Sequence, residues 1–136
     1  SEKLQSNFNF CDEYKNNFDA VLFGPPCFKF EIYEGEQQSV NNYETYTEWL
    51  NGYWKPTLKI CAEVMKSGAK LGFVVRDYAD YFGYNYLLSQ DFNNIAEEVF
   101  GPGETYKIKL SQMKTKRSPR KLAMGNYETL CVYEKG

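Results

Sequence analysis

The tetrapeptide Gly24-Pro25-Pro26-Cys27 is the stretch of this chain whose residue types and spacing best suit chemistry. It closes the apolar run Asp19-Ala20-Val21-Leu22-Phe23. Two successive prolines cannot continue a central ladder, so a strand must end there. Ligands of open α/β sheets lie beyond the carboxyl ends of strands, which makes such a turn a natural site. The bland alternative is a tight turn kept for geometry, with Cys27 an ordinary small, half-buried side chain. Composition removes other chemistries. The chain has no His, which excludes Ser-His-Asp triads, His-based metal centres and His acid–base catalysis. Its four cysteines, at 11, 27, 61 and 131, lack the close paired spacing of zinc ligands.

A second chemical feature lies near the other end. Residues 107–121 (KIKLSQMKTKRSPRK) hold seven of the 16 basic residues and no acidic one. The rest of the chain sets nine basic residues against 18 acidic ones, so a cationic strip sits on an acidic body. That pattern suits one directed anionic contact, with Lys114, Lys116, Arg117, Arg120 and Lys121 as candidates to touch a nucleic-acid backbone. A solvated hairpin loop over 111–126, or a contact to an acidic protein surface, accounts for the same residues. Asp77 and Asp80 follow a strand end and are weaker candidates for the cleft, a solvated loop being the simpler account.

The elements that must position these groups read clearly. At 136 residues the chain suffices for one domain with one core, spanning 1–136. Aromatic residues make up 18%, which requires a packed interior. No apolar run is long enough to span a membrane, so none is expected as a partner. Residues 1–17 carry no apolar segment with a basic start, and with reduced thiols this predicts an intracellular, reducing setting, a nucleus or virus particle included. The continuous apolarity of 19–23 predicts a strand buried on both faces. After a polar connection over 29–43, Thr45 and Glu48 have capping-box spacing. Tyr46, Trp49, Leu50, Tyr53, Trp54, Leu58, Cys61 and Met65 then form a helical stripe, with a kink expected at Pro56 and a stop at Ser67-Gly68. Core packing accounts for the rings of that stripe better than a base-stacking platform does. A second buried strand follows at Leu71–Val75, then a helix over 88–99 ended by Gly101-Pro102-Gly103. Strands at Tyr106–Leu110 and Thr129–Tyr133, joined only by a loop, can pair antiparallel. The order predicts an α/β fold of about four to five strands.

The run FDAVLFGPPCF resembles the fourth motif of DNA amino-methyltransferases, in which Asp, Asn or Ser precedes Pro-Pro and an aromatic residue. The downstream stretches KFEIYEGEQQSV, YTEWLNGYWKPTLK, EVMKSGAKLGFVVRDY and NYETLCVYEK resemble that family's path through its later strands, so the likeness covers about 18–135. It implies the carboxyl-terminal half of a Rossmann-like methyltransferase sheet, with helices on the faces and the last strand pair antiparallel. In that family the first motif residue and the first Pro carbonyl accept hydrogen bonds from the target amine, and the aromatic residue stacks on a flipped base. Here Gly24 has no side-chain acceptor and Cys27 has no ring, which leaves the Pro25 carbonyl, with Phe28 as a candidate stacking surface. Gly-Pro-Pro-Cys is also similar to the nucleophile motif of cytosine-5 methyltransferases, which would make Cys27 a nucleophile. That family, however, follows its Cys with Gln and carries Glu-Asn-Val at the end of the next strand, where this chain has Phe28 and Arg76-Asp77-Tyr78.

The family's methyl donor, S-adenosylmethionine, lies over a Gly-rich turn after the first strand, and no such turn occurs here. The resemblance therefore implies a degenerate half-domain that binds no donor unless a missing half supplies the site. It also predicts that the strand at 19–23 has lost its neighbour, so that a protein partner or the missing amino-terminal half must cover it. The alternative is the carboxyl half of an active adenine or cytosine amino-methyltransferase.

Overall fold

The computed structural model describes residues 10–25, 43–79, 82–109, 122–123 and 127–136. A short helix α1 (Phe10–Tyr14) leads into β1 (Phe18–Phe23). A long helical passage follows, made of α2 (Tyr46–Trp49), a π-helical turn (Leu50–Trp54) and α3 (Lys55–Val64). Strand β2 (Met65–Val75) runs directly from it, followed by the two-residue strands β3 (Tyr78–Ala79) and β4 (Asn85–Tyr86). Helix α4 (Leu88–Phe100), β5 (Glu104–Lys109), β6 (Leu122–Ala123) and β7 (Tyr127–Glu134) complete the chain. The main sheet has the order β1-β2-β7-β5; a small second sheet has the order β4-β3-β6. β1 is parallel to β2, whereas β7 is antiparallel to both β2 and β5. The fold is thus α/β with its last strand pair antiparallel, as the sequence predicts.

The long helix starts where the side chains say it should. Thr45 Oγ1 accepts the Glu48 N–H at 3.1 Å. Glu48 closes the box one residue early, accepting the Glu44 N–H at 3.3 Å. The predicted kink takes a particular form. Pro56 offers no N–H to the carbonyl four residues back, and the turn before it widens, with the Lys55 N–H reaching the Leu50 carbonyl. This π turn leaves Trp49, Leu50, Tyr53 and Trp54 buried, so the aromatic stripe is core and not an open stacking surface.

Two expectations need correction. The helix stops at Val64, not at Ser67-Gly68, and Met65 is already extended. Gly68, at φ 83°, lies inside β2, where the pairing jumps from Phe18↔Met65 to Ala20↔Lys70. It is a strand irregularity, and a left-handed residue there favours glycine. Backbone bonds from the Gly68 N–H to the Lys135 carbonyl (2.8 Å) and from the Lys135 N–H to the Ala69 carbonyl (2.9 Å) tie it to the end of β7. The second correction concerns β1, predicted to be buried on both faces. Val21 and Phe23 pack against the core, but Asp19, Ala20 and Leu22 are exposed; that β1 is an edge strand among the described residues agrees with the lost neighbour the resemblance implies.

The core lies between one face of the sheet and the helices. Leu71, Phe73 and Val75 of β2 and Cys131 and Tyr133 of β7 point into it, meeting Trp49, Trp54, Leu58, Leu88 and Phe92. Phe73 is stacked with Tyr133 (centroids 5.7 Å apart) and meets Trp54 edge-on at 4.8 Å. α3 packs on α4, and α1 lies against α3. Among the described residues the helices thus pack on one face of the sheet.

Candidate functional site

The site is built at the carboxyl ends of β1 and β2, which lie side by side through Phe23↔Phe73. The Phe23 ring rests near Trp54 (5.8 Å) and Phe73 (6.4 Å), so the core fixes where β1 ends. Beyond it Gly24 is exposed and Pro25 is buried. A Cβ built on Gly24 would meet none of the described residues within 4 Å, and its φ lies outside the left-handed region. Neither the described neighbours nor the backbone conformation therefore demands glycine at this position. Pro26 and Cys27 lie outside the described residues, as do Phe28 and Asp80.

At the end of β2, Asp77 does not face the cleft as a free carboxylate. Its Oδ1 accepts the Ser89 N–H at 2.7 Å and its Oδ2 accepts the Ser89 hydroxyl at 2.8 Å, which caps the first turn of α4 from outside the helix. Just beyond, a lattice of rings assembles. Tyr78 stacks on Tyr86 at 4.8 Å, Tyr46 meets Tyr86 edge-on at 5.1 Å, and Tyr84 meets it at 4.6 Å. The Tyr46 hydroxyl donates to Asp91 Oδ2 at 2.8 Å, and burial together with that carboxylate holds its proton far above the usual phenol range. This lattice escapes sequence reading because its members come from separate stretches of the chain. The only local signal is the density of aromatics over 78–86. Its outer member, Tyr84, is largely exposed, as is Phe82 nearby in sequence.

Lys114, Lys116, Arg117, Arg120 and Lys121 lie outside the described residues, but both anchors of their segment are placed. β5 runs parallel to β2 and ends at Lys109. Leu122 pairs with Ala79, just past the end of β2. The basic segment thus leaves and rejoins the fold at the same end of the sheet as Gly24 and Pro25.

The remaining thiols offer no reactive centre. Cys11, Cys61 and Cys131 are free, and burial is the first cause that raises each of them, with Cys61 and Cys131 both pushed up to about 11. A thiol is nucleophilic as thiolate, so burial works against reactivity at these positions, most at Cys61 and Cys131.

No family model matches the chain, and no curated protein does. Solved structures do. TTHA0409 from Thermus thermophilus, designated a DNA modification methylase, superposes with a TM-score of 0.65 at 12% identity, covering 98% of this chain and 49% of its own. Its complex with S-adenosyl-L-methionine gives a TM-score of 0.62 at 11% identity, with the same coverage. A third structure of that protein gives 0.60 at 16% identity, covering 98% and 50%. The chain has a methyltransferase-like fold and spans about half the length of the solved chains it resembles. Likeness at such low identity establishes the fold alone.

Proposed function

We propose that this chain is a catalytically degenerate, methyltransferase-like half-domain that serves a binding or structural role in a larger assembly. The observation that carries the reading is Gly24. It stands where the resembled motif has an Asp, Asn or Ser acceptor, and none of the described residues would obstruct a side chain there. An exocyclic amine must be held and aimed at the donor methyl, and a turn without that acceptor loses part of the hold. Donor binding requires a Gly-rich turn after a strand, and the chain has none in that context. The basic segment 111–121, anchored at the same end as Gly24, would contact the phosphates of a nucleic acid in the assembly. The edge of β1 would be covered by a protein partner or the missing half.

The test is calorimetric titration of the chain with S-adenosylmethionine, together with transfer of labelled methyl to DNA. No heat and no transfer are expected; a micromolar dissociation constant overturns the reading. A second reading, half of an active amino-methyltransferase with Pro25 polarising the amine, is favoured by the donor-bound neighbour of twice the length. Sequencing upstream of Ser1, or of a co-purifying protein, separates the two. A strand, a Gly-rich turn and an acidic residue about 20 positions later would support the second.

A further inference from the structure

We propose that the turn Phe82-Gly83-Tyr84, together with Tyr127, Lys107 and Lys109, binds single-stranded nucleic acid by stacking its bases. The proposal rests on the phosphate contact proposed above and names the form of nucleic acid which that contact takes. Phe82 is 97% exposed and Tyr84 58%, unlike the buried rings of Trp49, Tyr53 and Trp54. Gly83, at φ 83°, turns the chain between them in a left-handed conformation that favours glycine. The Tyr84 ring stands on a fixed base. It meets Tyr86 at 4.6 Å, Tyr86 stacks on the buried Tyr78, and Tyr46, held by Asp91, meets Tyr86 edge-on. A ring already held in place loses little freedom when a ligand stacks on it, which favours binding.

The cations come from neighbouring strands. Tyr86, Tyr78 and Ala123 lie in one row of the small sheet, so β4 to β6 spans about 10 Å. Tyr127 follows Ala123 by four residues, a reach of at most about 14 Å. Lys107 Nζ lies 4.7 Å over the Tyr127 ring, and Lys109 pairs with Tyr127. Lys107 lies beside Thr129, and Thr129 beside Val75, which points into the core. Both lysines and Tyr127 are therefore on the helix side of the sheet, whereas Glu128 and Ile108 alternate to the other. The carboxylates near the rings are engaged, Asp77 by Ser89 and Asp91 by Tyr46. Rings and ammonium groups on one surface match a strand that alternates bases with phosphates, and every base has a π-face. A duplex keeps those faces stacked inside, so the rings select unpaired strands. Stacking does not read the 2′-hydroxyl, so DNA and RNA strands bind alike.

The test is fluorescence anisotropy of the full chain with labelled oligothymidylate, oligouridylate and a duplex, each of about 20 nucleotides, longer than stacking sites usually cover. Both single strands are expected to bind at least tenfold tighter than the duplex and within tenfold of each other. Tyr84→Ala and Phe82→Ala should each weaken single-strand binding at least fivefold and leave duplex binding unchanged. Phe82→Ala should do so without moving the thermal midpoint. Tyr84→Phe keeps the ring and should bind as the parent chain does; if it is as weak as Tyr84→Ala, stacking is refuted. Replacing Lys107 and Lys109 with Gln should make the dependence of log affinity on log salt shallower by about 1.4. Duplex binding as tight as single-strand binding, or ring variants that bind single strands as before, overturns the proposal and leaves the phosphate contact standing. A preference beyond tenfold between DNA and RNA strands also overturns it. If Phe82→Ala instead abolishes self-association, with nucleic-acid binding unchanged, the turn is a contact between copies and the proposal falls. Binding to none of the three probes defeats both the proposal and the phosphate contact.

Discussion

Trp54 stacks on Phe92 with ring centroids 4.1 Å apart and 15° between planes, and its indole N–H donates to the Phe92 carbonyl at 3.4 Å. This one pair joins the helical passage between β1 and β2 to α4. Through Phe23 and Phe73 it also sets where β1 ends.

Trp54→Ala should therefore cost about 3–5 kcal/mol, a large part of the stability of a domain this size. Urea unfolding followed by far-UV circular dichroism measures it. Trp54→Phe keeps a ring on Phe92 and should retain most of the stability.

Glycines 24 and 103 make a matched pair with opposite outcomes. A Cβ at Gly103 would run into the Tyr133 ring and lie 2.6 Å from the Val132 carbonyl oxygen, whereas one at Gly24 meets none of the described residues. Gly103→Ala should cost about 1–3 kcal/mol. Gly24→Asp should stay within about 0.5 kcal/mol, as read from thermal midpoints.

Tyr46→Phe leaves Asp91 without its 2.8 Å donor and should cost about 1 kcal/mol. Asp77→Ala removes two bonds to Ser89 and should cost about 1 kcal/mol by loosening the first turn of α4. Amide exchange should speed up at Ser89 in the second variant and not in the first.

Cys61 and Cys131 contribute to the alkaline limb of stability, ahead of the buried tyrosines Tyr46 and Tyr133, whose ordinary range lies higher. Burial raises both thiols from an ordinary 9.0 to about 11, so the folded state keeps these protons after the unfolded chain has released them. The stability held this way is whole below about pH 9 and is lost as pH rises through about 11. Denaturation midpoints from pH 7 upward test this. Replacing both cysteines with Ala or Val should flatten the decline.

Much of this architecture is legible in the residues. Thr45 and Glu48 announce a helix start, Gly101 its successor's end, and the two late strands pair as their spacing implies. What sequence misjudges is tertiary. Gly68 looks like a helix stop because glycine serves both caps and strand irregularities, and only the partner at Lys135 decides between them. The apolarity of 19–23 reads as two-sided burial, yet periodicity cannot say whether the second face has a cover. At the site, Gly24 and Pro25 are found at the strand end as read, while Asp77 is spent on Ser89, 12 residues away, a pairing no local pattern records.

The two borders of the main sheet are unlike. β5 carries Glu104, Lys107 and Lys109 along its open side, while β1 carries only Asp19, already matched with Lys66. Charge blunts strand-to-strand growth. Copies left unmated at high concentration can therefore join β1 to β1 but have no second sticky border with which to continue. Self-association should halt at pairs, sparing the chain the endless ribbons that a sheet uncharged on both sides would form.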